Sequence, residues 1–158
     1  MRMRLFSHVL LSVGTMMILP GQAAMTAEDK APWKPLRGQI ITNASEIEIP
    51  PFDQHFIPSV RKQDVRMFAK DDQGQWTIHF LAFFQNPLPK KHLGVVVLSA
   101  SQNPVAVAKI QGERGSTSIA SEIVISYTDT PSRYHWIQVY YLDGRKPIVL
   151  AKTKVVLK

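Results

Sequence analysis

The sequence predicts an antiparallel β-sandwich, and three features of the chain predict it. Apolar and polar residues alternate over many short stretches, turn-forming residues separate these stretches, and no stretch has the spacing of an amphipathic helix. The chain has 158 residues, of which 45% are hydrophobic, so one domain with an ordinary core is expected. Because the chain contains no cysteine, this core must be stable without disulfides.

Eight stretches have the pattern of β-strands. In chain order they are 39–49, 64–70, 76–84, 93–99, 105–110, 118–127, 134–142 and 148–157. The stretch 76–84 (WTIHFLAFF) has one fully apolar face and a second face that is half polar, which is typical of a strand near the middle of a sheet. The stretch 93–99 (LGVVVLS) has no polar side and is also expected to be buried.

The segments between the strands define the turns. Residues 52–63 show no clean period, so they are expected to cross the surface without regular structure. The turn 71–74 (DDQG) is expected to join the second and third strands as a hairpin, and Asp143-Gly144 is the strongest hairpin signal. In the last strand the alternation from Val149 to Leu157 is expected to face the core, with Lys152 and Lys154 facing outward.

These strands favour a sandwich that is immunoglobulin-like in general architecture, with a small β-barrel as the alternative. True immunoglobulin domains carry a cysteine pair between their sheets. The chain has no cysteine, so the likeness concerns the architecture alone.

The first residues have the pattern of a signal peptide. Arg2 and Arg4 precede a run without Asp, Glu, Lys or Arg that ends at Leu19, and Pro20 and small residues follow. We predict a signal peptide over 1–23, an extended arm over 24–38 and the sandwich domain over 39–158. The apolar run is too short to span a bilayer, so an exported protein, periplasmic or secreted, is expected without a transmembrane segment after cleavage. Trp33 is expected to fold back over an open sheet edge rather than to anchor a partner.

The charge of the chain restricts its partners. The formal net charge is +7, and loss of Arg2 and Arg4 with the signal peptide would leave +5. This excess is too small and too scattered to indicate nucleic-acid binding. A protein or an anionic polymer of the cell envelope is the expected partner.

Catalytic and metal-binding motifs were not found. The chain has no cysteine nucleophile, no GxSxG sequence and no phosphate-binding glycine loop. The histidines have no recognised metal-ligand spacing, although His79 and His135 could be neighbours across a sheet. The sequence therefore predicts no enzyme, no metal and no cofactor, with a small hydrolase with a dispersed site and a carrier of an apolar ligand as alternatives.

Two groups of residues are candidates for binding. If consecutive strands each cross the domain, loops 85–92, 112–115 and 143–147 share one end, and their basic side chains form a candidate site for an anionic partner. These residues are Lys90, Lys91, His92, Arg114, Arg145 and Lys146. Asp71, Asp72, Asp129 and Arg133 would lie at the opposite end.

The second candidate is an aromatic platform for a sugar or a protein. Tyr134, Trp136 and Tyr140 share one face of a predicted strand, while Ile137 and Val139 share the other. The competing interpretation is that the aromatic side chains fill the core. The expected function is that of an exported, non-catalytic binding or accessory module of the cell envelope.

Overall fold

The computed structural model describes residues 32–126 and 134–158, and it contains eight strands. The strands are β1 (Ile40–Asn43), β2 (Met67–Phe68), β3 (Trp76–Phe83), β4 (His92–Leu98), β5 (Pro104–Gln111), β6 (Ser118–Ile125), β7 (Tyr134–Asp143) and β8 (Lys146–Leu157). One short helix, α1 (Phe56–Lys62), and a 3-10 turn (Lys34–Leu36) complete the regular structure. The predicted signal peptide lies outside the described residues.

The strands form two sheets, which confirms the predicted all-β sandwich. The first sheet has the order β1-β3-β6 and the second has the order β2-β8-β7-β4-β5. Neighbouring strands are antiparallel except for the parallel pair β2 and β8. This order corresponds to strands A, B and E facing strands G, F and C of an immunoglobulin-like sandwich. At one side, the Lys152 N–H donates to the Gly38 carbonyl oxygen and partly closes the sandwich toward a half-barrel.

The core lies between the two sheets. β3 is the middle strand of the three-stranded sheet, as predicted, and its alternate side chains from Trp76 to Ala82 are buried against the inner face of the five-stranded sheet. The indole Nε1–H of Trp76 donates to the Lys158 carbonyl oxygen at 2.9 Å. This bond ties the start of β3 to the end of β8.

The outer face of the three-stranded sheet is partly covered by a further layer. Leu36 from the 3-10 turn, Trp33 just before this turn, and Phe56 and Val60 from α1 pack against it. The side chains beneath them on the sheet are Ile41, Leu81 and Phe83. The last part of the predicted arm is therefore packed on the sheet over β1 and the end of β3, whereas Ala120, Glu122 and Val124 on the outer side of β6 are exposed.

The prediction of an irregular segment over 52–63 was wrong, because α1 forms there. Seven residues are too few to show a helical period, and Pro58 is tolerated because it lies in the first turn. The short helix is held by packing, since Phe56 and Val60, four residues apart, are both buried.

Residues 46–49, predicted as part of the first strand, are not in a strand. The side chain of Gln63 takes the place of a neighbouring strand at Glu48. Its Oε1 accepts from the Glu48 N–H at 2.9 Å and its Nε2 donates to the Glu48 carbonyl oxygen at 2.8 Å.

The predicted hairpin at 71–74 was also wrong. The tight turn is present, with the Gly74 N–H donating to the Asp71 carbonyl oxygen at 3.0 Å. However, β2 belongs to the five-stranded sheet and β3 to the other, so the turn carries the chain between sheets. Turn residues encode a reversal of the chain, but they do not encode the sheet that the chain joins next.

Candidate functional site

The outer face of the five-stranded sheet carries the predicted aromatic platform. His135, Ile137 and Val139 of β7 are buried, so the alternate residues Tyr134 and Trp136 face outward. We call this surface the aromatic face. Its side chains come from positions 134, 136, 138, 140 and 142 on β7, 96 and 98 on β4, 107 and 109 on β5, 149, 152 and 154 on β8, and 67 on β2.

An irregularity in β8 adds Val149 to this face. Val139 pairs with Ala151, but Tyr140 pairs with Val149, so Leu150 is an extra residue on β8. Leu150 and Ala151 are both buried, while Val149 is 40% exposed. The prediction that Val149 faces the core was wrong, because strict alternation does not survive a bulge.

Much of the exposed apolar surface of the described residues is concentrated on the aromatic face. Of the eight large hydrophobic side chains that are exposed, five belong to it: Met67, Val107, Tyr134, Leu142 and Val149. The prediction that 93–99 is buried was correct for one face alone, since Gly94, Val96 and Leu98 are half-exposed. No described element packs over this face, in contrast to the outer side of β1 and the end of β3 in the other sheet.

Lysine side chains lie among the aromatic rings. The Nζ of Lys154 is 3.6 Å from the centroid of the Tyr134 ring, and the Nζ of Lys152 is 5.8 Å from that of Trp136. Lys109 lies on the same face, opposite Gly94. The single acidic residue in the five strands is Asp143, at the last position of β7. The aromatic face is therefore apolar at its centre and positively charged.

The structure brings the three predicted basic loops to one end of the sandwich. The Gly112 N–H donates to the Lys91 carbonyl oxygen, which links the first loop to the second. Lys90 links the first loop to the β7–β8 hairpin, since its Nζ donates to the Leu142 carbonyl oxygen at 2.8 Å and lies 3.3 Å from Asp143 Oδ1. We call this group the basic end: Lys90, Lys91, His92, Arg114, Arg145 and Lys146.

Lys90 has a structural role within the basic end. It is exposed like the side chains at 91, 92, 114, 145 and 146, but its charge is balanced by Asp143. At the opposite end, the carboxylate of Asp71 accepts from the N–H groups of Gln73 and Gln75 within its own turn. The predicted loop with Asp129 and Arg133 lies outside the described residues.

The two strand histidines, which could have been neighbours across a sheet, lie in different sheets. His79 faces outward on the three-stranded sheet, with its Nδ1 3.6 Å from Glu122 Oε2. His135 is buried in the other sheet. Within residues 32–126 and 134–158, no group of three or more His, Cys, Asp or Glu side chains could hold a metal ion.

A cleft beside Trp33 was not predicted from the sequence. It lies between the 3-10 turn and the start of the loop after β3, with a volume of about 40 Å³. Trp33 and Thr117 are both buried and both line it, although they lie far apart in the sequence. Sequence reasoning had no signal for this cleft, because the packing of the turn on the sheet creates it.

Comparison with known proteins assigns no family to the chain. No protein-family model matches it, and no curated protein matches it with significant similarity. Among the described residues, no helix is both long and apolar enough to cross a membrane.

Proposed function

We propose that this protein is an exported, non-catalytic binding module of the cell envelope, and that its aromatic face binds an acidic partner protein. The observation that carries this proposal is the unequal covering of the two sheets. On the three-stranded sheet, Trp33, Leu36 and α1 cover the outer side of β1 and the end of β3, while the aromatic face has no described cover on any of its strands. Exposed apolar patches on a folded domain are typical of interaction sites.

The chemistry of the aromatic face favours a protein over a sugar. Tyrosine and tryptophan are enriched at the energetic centres of protein interfaces. Valine, leucine and methionine side chains surround these rings on this face. They offer no hydrogen bonds to sugar hydroxyls, and the five strands carry two amide side chains, Gln138 on β7 and Gln111 at the end of β5.

The charge of the face favours an acidic partner. Lys109, Lys152 and Lys154 stand on the face, and its strands contain no carboxylate before Asp143. A partner with carboxylates around an apolar centre would match both features, and complementary charge speeds association and excludes basic competitors. The basic end borders this face at Leu142 and would extend the same contact. Loops at one end of a sandwich are common binding elements.

A photo-reactive amino acid placed at position 136 in living cells tests this proposal. We expect it to crosslink to a partner protein within an acidic segment, and K152E with K154E to weaken the crosslink. The matched control is position 120, which is exposed on β6 of the opposite sheet. Equal crosslinks from both positions would refute the proposal, as would crosslinks only to carbohydrate or only to a second copy of this chain.

The two alternative functions expected from the sequence remain predictions. No observation on the described residues favours a small hydrolase or a carrier of an apolar ligand. A broad panel of hydrolase substrates tests the first, and extraction of the purified protein for bound lipid tests the second.

A further inference from the structure

Two of the residues that line the cleft beside Trp33 each carry a buried polar atom that has no hydrogen-bond partner among the described residues. These atoms are the indole Nε1 of Trp33 and the hydroxyl Oγ1 of Thr117. Trp33 is 2% exposed and Thr117 is 3% exposed, so bulk water does not freely reach them. Buried polar groups are nearly always paired, and an exception calls for a missing water, ion or ligand.

The groups around this cleft are mainly donors of hydrogen bonds or positive charges. The indole N–H can only donate, and the threonine hydroxyl can donate. The other described side chains that line it are two cations, two amides and two apolar groups, with no carboxylate: Lys34, Arg37, Gln85, Asn86, Phe84 and Pro87. The guanidinium carbon of Arg37 lies 5.3 Å from the centroid of the Trp33 ring. The arrangement therefore suits a ligand that accepts hydrogen bonds and carries negative charge.

The size of the cleft limits the ligand. To hold one water molecule, a cavity needs roughly 10–15 Å³ of space in which the centre of the molecule can lie. The volume of about 40 Å³ thus holds a group of a few heavy atoms. We propose that this cleft is a binding site for a small oxyanion, either inorganic phosphate or the carboxylate of an organic acid.

This site is independent of the aromatic face. Trp33 packs on the outer side of the three-stranded sheet, whereas the aromatic face belongs to the five-stranded sheet. The failure of one proposal therefore leaves the other standing.

Titration of the purified protein with phosphate, followed by NMR of the tryptophan indole N–H groups, tests the site. The chain has three tryptophans, so the spectrum contains three such signals, and W33F identifies the one from Trp33. We expect phosphate or acetate to shift the Trp33 signal in a saturable way. The Trp76 signal should not move, because its N–H is already bonded to the Lys158 carbonyl oxygen. A larger effect of phosphate than of acetate would indicate a phosphate ligand, and the reverse would indicate a carboxylate.

Three variants complete the test. T117V removes one donor with little change of shape, and W33F removes the other donor together with part of the ring volume; we expect calorimetry to show binding weakened roughly tenfold or more in each. W136F is the matched control, because Trp136 lies on the other sheet, and it should bind like the wild type. If W33F does not fold, the affinity of T117V alone tests the site.

Either of two results would overturn the site. The first is a wild-type protein that responds to phosphate and acetate no more than to chloride at equal ionic strength. The second is T117V binding as tightly as the wild type.

Discussion

The ring of Tyr140 lies against the backbone of Gly94 on the aromatic face. A Cβ atom at Gly94 would lie 2.3 Å from Cζ of Tyr140, so only glycine accepts the ring in this position. The two residues are direct partners in the pairing of β4 with β7. Gly94 therefore determines where one of the three aromatic side chains of this face lies.

The first prediction concerns this pair. Gly94→Ala should lower the free energy of unfolding by about 1–2 kcal/mol, because the new methyl group forces the ring away. In a Tyr140→Ala background the same substitution should cost nothing, since alanine is better than glycine in a strand. Denaturant unfolding of the four proteins measures this coupling. An equal cost in both backgrounds would mean that the ring does not lie on Gly94.

The second prediction concerns the inward and outward faces of β8. Val155→Asp should destabilise the fold by more than about 3 kcal/mol, because it buries a charge in a side chain position that is 1% exposed. Lys154→Asp, on the next residue, should cost about 1 kcal/mol or less, chiefly from its lost contact with the Tyr134 ring. Chemical denaturation measures the free energy of unfolding of both variants. Similar losses of stability in the two variants would contradict the register of β8.

The third prediction concerns export. The residues from Arg2 to Ala23 have the charge and hydropathy pattern of a cleaved signal peptide. Mass spectrometry of the protein isolated from its native cells should find a chain that begins near Ala24. A native protein that retains Met1 would refute cleavage.

The fourth prediction concerns the basic end. Changing Lys90, Lys91, Arg145 and Lys146 to Glu should strongly reduce retention on an anionic matrix at low salt, because four neighbouring charges reverse. The matched control reverses the same number of exposed charges elsewhere, at Arg61, Lys62, Lys70 and Lys158. If both variants lose retention equally, net charge alone explains the binding and the basic end is not a site.

The strands could be predicted from the sequence because their residues alternate with a period of two. The last six predicted strands all occur, but the sequence left open which side of β7 faces inward, and the structure buries Ile137 and Val139. The predictions that were wrong concern features that depend on contacts between residues far apart in the sequence. α1 is stabilised by packing on Phe83, and residues 46–49 are held by Gln63 rather than by a strand.

The candidate sites were only partly predictable for the same reason. Periodicity places Trp136 and Tyr140 on one face, but it does not reveal that this face lacks a covering layer. Likewise, the pairing of Trp33 with Thr117 in one cleft depends on how the 3-10 turn packs. Local patterns determine which residues share a strand face, and tertiary packing determines which faces remain exposed.

The fifth prediction tests the central claim, that the aromatic face binds an acidic partner protein. With the crosslinked partner purified, calorimetry should show that Trp136→Ala weakens binding roughly 30-fold or more, as expected for an aromatic residue at the centre of an interface. Ala120→Asp, on the opposite sheet, should leave the affinity unchanged while both variants remain folded. A change of less than about threefold for Trp136→Ala would contradict the assignment of this face as the binding surface.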